Sequence, residues 1–241
     1  MPQAIIFGSV AGSALILGAI FGNSFKFSKK VIASFMAFGS GVLICALTFG
    51  LMENAFKLGG FDAIIFGFLL GGLTFIGGDW WLHRIGARRH KKVQLIESED
   101  ESGRLITLGA VLDGVPESIA LGIVLFSGTG GILMAAAIFL SNFPESISSI
   151  SGLKREGYST SRIYLLWLTV GVCSVIITVL SYFFLRDIDP NITGVLESFA
   201  AGAVLAMLAD TMMPEAYSEG GFGVGIMTLL GFLAAFIISR V

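Results

Sequence analysis

The sequence predicts an all-α polytopic membrane protein in which a single domain, residues 1–241, contains eight transmembrane helices. The first observation is composition: 55% of the residues are hydrophobic and 13% are charged, whereas soluble domains carry about 25% charged residues. The second is that apolar runs of about 20 residues, enough to span a bilayer core of about 30 Å, recur along the chain. The third is an internal repeat. The chain is therefore expected to reside in a lipid bilayer.

The eight apolar runs are joined by short connections, with one exception. They lie at residues 4–22, 31–51, 63–82, 106–126, 131–152, 163–185, 192–213 and 223–238. No positively charged region precedes the first run, so we expect a retained helix rather than a cleaved signal. Residues 83–105 are polar and show no hydrophobic periodicity, and this segment is predicted to be a mobile loop.

The distribution of positive charge predicts the orientation. Twelve of the fifteen Lys and Arg residues fall in the loops after the odd-numbered runs, and three fall on the opposite side. Because cytoplasmic loops carry the excess of Lys and Arg, the loop at 83–105 is predicted to be cytoplasmic. Both termini are then extracytoplasmic, and we expect an integral protein of a prokaryotic plasma membrane.

The inverted repeat relates helices 1–3 to helices 6–8 around a central pair, helices 4 and 5. Positions of the second run recur 161 residues later in the seventh: Gly41, Met52, Ala55, Gly59 and Gly60 against Gly202, Met213, Ala216, Gly220 and Gly221. These runs are five helices apart, an odd number, so the copies cross the membrane in opposite directions. Residues 115–119 (VPESI) and 143–147 (FPESI) match in the consecutive fourth and fifth runs. Inverted repeats of this kind are typical of secondary transporters.

The central pair carries ionisable groups at the depth of the membrane. Asp113 and Glu117 are four residues apart and share a face of helix 4, while Ser141 and Glu145 have the same spacing in helix 5, with Asn142 beside them. Prolines in both helices free backbone carbonyl groups nearby. All Lys and Arg residues lie in loops or at helix ends, so these carboxylates require either protons or a cation. The alternative is that protonated carboxyl groups only tie the two helices together.

Other polar residues are less deeply placed. Asp210 and Glu53 are interpreted either as the exit and the entrance of a cation pathway or as edge residues in contact with water. His83 and His90 are interpreted either as residues that trap metal leaving the pathway or as part of a solvated basic loop. Three further carboxylates near helix ends are expected to be solvated: Asp79, Glu197 and Glu215.

The motifs on helices 4 and 5 resemble those of the ZIP (Zrt/Irt-like protein) family of divalent metal transporters. Residues 113–117 (DGVPE) are similar to its helix 4 motif His-Asn-x-Pro-Glu/Asp, residues 141–145 (SNFPE) to its helix 5 motif, and residues 213–216 (MPEA) lie at the corresponding end of helix 7. The resemblance implies transport of a divalent metal toward the cytoplasm. It also implies a metal site at Asp113, Glu117, Ser141, Asn142 and Glu145.

The chain departs from the family pattern in ways that bear on the choice of ion. Asp113 stands where the family has His, Gly114 where it has Asn, and Ser141 where it often has His or Gln. Imidazole nitrogen suits zinc, whereas carboxylate, amide and hydroxyl oxygens suit harder ions such as manganese or ferrous iron. The transported ion therefore stays open among zinc, manganese and iron.

Two other function classes remain open: a proton- or sodium-coupled carrier of an organic solute, and a non-transporting, metal-binding homologue of the same family. An intramembrane enzyme is not expected, because the chain lacks an H-E-x-x-H motif. No nucleic-acid partner is expected, and a homodimer is left open.

Overall fold

The computed structural model describes residues 2–84, 103–128 and 130–240, and all regular structure in this part of the chain is helical. Two π-helical segments, π1 (Leu47–Met52) and π2 (Leu208–Met212), interrupt otherwise continuous helices. The α-helices are α1 Pro2–Ser24, α2 Lys29–Ala46, α3 Glu53–Arg84, α4 Gly103–Ser127, α5 Gly131–Arg155, α6 Thr160–Leu185, α7 Pro190–Met207, α8 Met213–Gly220 and α9 Gly223–Ile238. The predicted all-α class is confirmed.

Several helices begin where the sequence supplies a capping residue. The side chain of Ser28 accepts a hydrogen bond from the backbone N–H of Val31, and Ser159 accepts one in the same way at the start of α6. Asp189 caps α7, whose first residue is Pro190, a position where the missing proline N–H costs nothing. These starts follow the preference for Ser and Asp at helix N-termini.

The helices have the length and surface of a membrane protein. Within the described residues, six segments are long and apolar enough to cross a bilayer, and α9 is a shorter apolar helix. One of the six, Lys29–Leu82, has 54 residues, about 80 Å if it were straight, and it changes direction at Gly60, where φ is 63°. Large apolar side chains cover the outer surface, for example Phe66, Leu73 and Leu229. The eight predicted crossings require Lys29–Leu82 to cross twice and α9 to cross as well, and the number stays a prediction.

The turn at Gly60 occurs in a stretch predicted to be a loop. Residues 52–62 lie between the second and third apolar runs, yet the helix continues through π1 into α3 before the backbone turns. The same happens in the other half, where the chain continues through π2 and α8 before it turns at Gly221. The helices therefore continue through polar residues beyond the ends of the apolar runs, because backbone hydrogen bonding does not depend on the hydropathy of the side chains.

The two halves of the repeat share these irregular features at the offset seen in the sequence. Leu47 and Leu208, 161 residues apart, each begin a π-helical segment. Gly60 and Gly221, also 161 residues apart, have φ of 63° and 62° with ψ of −158° and −144°. A residue with a Cβ is strained in this region of backbone space, which explains why glycine recurs at this position of both copies.

Contacts between the copies show that they run in opposite directions. Lys29, the first residue of α2, forms an ion pair of 2.9 Å with Glu219 near the end of α8. Asn54, at the start of α3, instead donates a hydrogen bond to Glu197 in the second turn of α7. The beginning of one copy therefore lies beside the end of the other, as the predicted inverted repeat requires.

Close contacts at glycine and hydroxyl groups join the helices that surround α4 and α5. The first helices of the two halves meet where a Cβ on Gly12 would lie 2.7 Å from the carbonyl oxygen of Gly171, and the reverse distance is also 2.7 Å. The Thr178 hydroxyl of α6 donates to the carbonyl of Ser118 on α4, at 3.2 Å, and Ser198 of α7 donates to the Ala63 carbonyl on α3. Further close packing joins α1 to α5 and α2 to both α5 and α9.

Candidate metal site

Helix α4 buries two carboxylates one turn apart. The side chains of Asp113 and Glu117 are 5% and 1% exposed. Pro116 lies between them inside the continuous helix, and because proline has no N–H, the carbonyl of Leu112 loses the hydrogen bond that this position would otherwise donate. The predicted combination of two carboxylates and a weakened helical turn is therefore present in α4.

Helix α5 presents a matching set of polar groups. Ser141 and Asn142 are 2% and 5% exposed, and Glu145 is half-buried. Pro144 likewise removes a hydrogen bond from the carbonyl of Leu140. That carbonyl oxygen lies 2.8 Å from where a Cβ on Gly39 of α2 would sit, so α2 covers this carbonyl of α5 closely, and only glycine leaves the necessary room.

A hydrogen bond joins the two polar sets. The Ser141 Oγ lies 3.2 Å from Oε1 of Glu117 and 2.9 Å from the carbonyl oxygen of Ile138 in its own helix. A hydroxyl has one proton and two acceptor lone pairs, so Ser141 donates to one of these oxygens at a time and keeps lone pairs for another ligand. The structure thus brings Glu117 of α4 and Ser141 of α5 together.

The chemistry of this region is that of oxygen donors. Carboxylate, hydroxyl and amide oxygens are ligands for hard divalent cations. Among the described residues, no three His, Cys, Asp or Glu side chains converge closely enough to hold a metal ion. Asp113, Glu117 and Glu145 therefore do not form a three-carboxylate cluster, and the full predicted ligand set stays a prediction.

The predicted pathway residues have different surroundings. Glu53 is exposed and forms an ion pair of 2.8 Å with Lys57, one turn along α3. Asp210 is half-buried within π2, and such π-helical segments are frequent at functional sites. His83 lies in the last turn of α3, but its side chain, like the whole of His90, lies outside the described residues.

Sequence reasoning missed a buried carboxylate at another end of the bundle. Glu197, expected to be solvated, is fully buried. Its two carboxylate oxygens accept hydrogen bonds from the Asn54 amide at 2.7 and 2.9 Å, and Oε1 also accepts one from the Ser127 hydroxyl at 2.7 Å. The available signal was its position seven residues after Pro190, about 10 Å into the helix, which is too deep for an edge residue.

The other two carboxylates expected to be solvated also have protein surroundings. Asp79 is 8% exposed. Glu215 is half-buried and accepts a hydrogen bond of 3.0 Å from Ser148 of α5. The expectation of solvation is therefore wrong for Asp79 as well as Glu197, because both lie inside apolar runs whose helices are packed against the rest of the protein.

Comparison with known proteins gives one family match. A family model described as ZIP Zinc transporter matches residues 83–239, which is more than half of the chain and includes both proline-containing helices and the second copy of the repeat. No curated protein matches the chain.

Proposed function

Because the chain belongs to the ZIP zinc transporter family, we propose that it carries its metal toward the cytoplasm through the oxygen-rich site between α4 and α5. Family membership implies transport of a divalent metal cation and makes the chain a transporter rather than an enzyme. The metal is its substrate. The location of the site, the direction of transport and the identity of the ion are proposals that go beyond family membership.

The observation that carries the site is the contact between Glu117 and Ser141. Two nearly inaccessible polar side chains from antiparallel helices meet there, at 3.2 Å. Asp113 lies one turn before Glu117, and Asn142 directly follows Ser141, so four buried oxygen-bearing side chains are available. Burial of ionisable groups in a membrane is costly, and binding of a divalent cation offsets that cost.

The remaining ligand, Glu145, completes the set when the helices adjust. It follows Pro144, where the interrupted hydrogen bonding makes the helix easier to bend. Bending of α5 at this turn would move Glu145, which follows Pro144, relative to Ser141, which precedes it. We propose that the bound cation is coordinated by Asp113, Glu117, Asn142 and Glu145, with Ser141 as a further ligand.

The proposed ion choice follows from the donor atoms. Asp113 supplies a charged hard oxygen in place of a histidine nitrogen, which favours manganese or ferrous iron relative to a histidine-containing site. The general order of affinities still places zinc above both. We therefore propose that the site prefers zinc over iron and manganese by a smaller margin than a histidine-containing site does, and that it still accepts zinc.

The proposed route runs from the predicted extracytoplasmic end of the bundle, through the site between α4 and α5, to the predicted cytoplasmic end. Asp210 in π2 lies on the predicted cytoplasmic side, and His83 and His90 at the predicted cytoplasmic loop would receive metal that leaves the site. Glu53, at the opposite end, is exposed and bound to Lys57, so its role is limited to attracting cations at the entrance. The asymmetry of Lys and Arg predicts the orientation of the chain, and transport toward the cytoplasm is what the resemblance to the family implies.

The test is uptake by the full chain in liposomes, with manganese, ferrous iron and zinc supplied separately. Glu117→Gln should reduce uptake of all three at least tenfold, because it removes a buried negative charge at nearly constant size. Glu219→Gln is the matched control, since Glu219 pairs with the exposed Lys29 near the end of α8, and it should retain near-normal uptake.

The same assay separates the competing hypotheses. A solute carrier would show no divalent uptake and an uptake of organic solute that depends on a proton or sodium gradient. A non-transporting homologue would bind metal without flux. Uptake that is unchanged in Glu117→Gln would refute the proposed site while leaving family membership intact.

A further inference from the structure

Three side chains from three helices form a second buried polar group, here called the outer triad: Asn54 at the start of α3, Ser127 at the end of α4 and Glu197 of α7. Both oxygens of Glu197 accept from the Asn54 amide, and one also accepts from Ser127, at 2.7–2.9 Å. Glu197 is fully buried, whereas Asn54 and Ser127 are half-buried. The two neutral side chains are therefore the members of the triad that are accessible to solvent.

The charge of Glu197 has only neutral partners in these contacts. Asn54 and Ser127 carry no charge, and Lys57, one turn beyond Glu53 in α3, is exposed and paired with Glu53. All three hydrogen bonds come from neutral donors, so none of these contacts supplies a positive charge to Glu197. A carboxylate held in this way at the end of a membrane bundle is prepared to bind a cation.

The same three side chains can supply three oxygen ligands. A half-turn of the Asn54 amide about its Cβ–Cγ bond exchanges the Nδ2 donor for the Oδ1 acceptor. The Ser127 hydroxyl can turn its proton away and present a lone pair. Carboxylate, amide and hydroxyl oxygens then surround one position, which is the ligand chemistry of a hard divalent cation.

We propose that the outer triad is a loading site for the divalent cation, distinct from the site at Glu117 and Ser141. This inference rests on the proposed function, since it concerns the same substrate. Glu197 lies about 10 Å along α7 from Pro190, and Ser127 lies ten residues beyond Glu117, about 15 Å along α4. When the cation binds, coordination bonds replace the hydrogen bonds within the triad. The cation then passes to the site at Glu117 and Ser141.

Local structure places Asn54 in this position. The segment π1 ends at Met52, two residues before Asn54, and a π-helical segment shifts the register of the residues that follow it. The preceding residue, Glu53, faces outward toward Lys57 instead. The irregular turn therefore determines which of two adjacent polar residues meets Glu197.

The first experiment counts bound manganese. The full chain in nanodiscs is titrated with Mn²⁺, and the free ion is measured by electron paramagnetic resonance. The wild-type protein should bind two equivalents, Glu197→Gln should lose one of them, and Glu117→Gln should lose the other. Glu219→Gln, the surface control, should keep both.

A second variant covers the case in which Glu197→Gln does not fold. Asn54→Asp is nearly isosteric, but an ionised aspartate cannot donate to Glu197 and adds a negative charge. In chelator its melting temperature should fall by several degrees. At a Mn²⁺ concentration a hundredfold above the variant's dissociation constant, its melting temperature should rise by about 5–10 °C. At that same concentration the wild-type protein should gain less, because its triad lacks the added negative charge and binds Mn²⁺ more weakly.

Each outcome has a defined meaning. Loss of one equivalent in Glu197→Gln, or the larger manganese-dependent gain in Asn54→Asp, supports the loading site. Three results would overturn the loading site and leave the proposed function standing. Glu197→Gln could retain two equivalents, or the wild-type protein could bind a single equivalent that depends only on Glu117. The third is that Asn54→Asp shows no extra gain in melting temperature in manganese. Failure of the proposed function has a different signature, namely wild-type uptake and binding in Glu117→Gln.

Discussion

The close approach of α1 and α6 gives a prediction whose size follows from the structure. Gly12 and Gly171 face each other so closely that a Cβ on either would lie 2.7 Å from the carbonyl oxygen of the other. Ordinary contacts of a Cβ begin near 3.4 Å. In Gly12→Ala and in Gly171→Ala, the new Cβ would lie about 0.7 Å closer to the opposing carbonyl oxygen than an ordinary contact allows. Because backbone atoms cannot rotate away, the two helices must separate.

The expected cost is that of an overpacked interface, about 1–3 kcal/mol. Gly77→Ala is the matched control, because Gly77 lies inside α3 with nothing within 4 Å of its added Cβ. Alanine in a helix interior gains about 0.5–1 kcal/mol over glycine. With about 2 kcal/mol as the central cost, the two interface variants should melt about 4–8 °C below the wild-type protein, and Gly77→Ala should melt at or above it.

Melting in detergent is followed through intrinsic fluorescence, to which Trp167 contributes from a fully buried position in α6. The double variant Gly12→Ala/Gly171→Ala provides a further check. One separation of the helices relieves both clashes, so the combined loss should be smaller than the sum of the single losses by about 0.5 kcal/mol or more. Interface variants that melt as high as Gly77→Ala would refute the packing of α1 against α6.

Three further predictions concern the turns, the ion and the topology. Gly60→Ala and Gly221→Ala should each destabilise the protein by about 1–3 kcal/mol in the same melting assay, because both glycines have positive φ; unchanged melting of both would contradict the turns. Asp113→His should raise zinc uptake relative to manganese in a competition assay, and a shift toward manganese would contradict the proposed donor chemistry. A cysteine introduced within residues 85–102 should be protected from an impermeant thiol reagent in intact cells, and labelling from outside would reverse the orientation.

Much of the fold was accessible from the sequence because membrane helices and repeats leave direct signals. The recurrence of Gly60 as Gly221 predicted related halves, and the structure gives both residues the same unusual backbone conformation. Glycine was informative here because alanine cannot replace it without strain. The π-helical segments were not predictable, since no residue pattern distinguishes Leu47–Met52 from ordinary helix.

The candidate site was predictable to the extent that it depends on local spacing. Asp113 and Glu117 share a helix face and are buried together, as their separation of four residues predicts. The contact of Glu117 with Ser141 joins residues 24 positions apart; the matching proline motifs predicted that the two polar sets lie at the same depth, but not this contact. Glu145 is half-buried, which spacing alone does not predict because exposure depends on neighbouring helices.

The outer triad was missed for a related reason. Glu197 is separated by 143 residues from Asn54 and by 70 from Ser127, and no motif links the three. Sequence reasoning instead selected Glu53 as the polar residue of interest at that helix end. Adjacent residues point about 100° apart on a helix, and the structure directs Glu53 to Lys57 and Asn54 to Glu197.

The proposed site between α4 and α5 is tested most directly by locating the bound substrate. Crystals of the full chain soaked with Mn²⁺ are measured at a wavelength where manganese scatters anomalously. We predict an anomalous peak within about 2.0–2.6 Å of oxygens from Asp113, Glu117, Asn142 and Glu145, the range of hard-cation ligands. Anomalous peaks confined to other parts of the protein, with these four side chains uncoordinated, would contradict the proposed transport site.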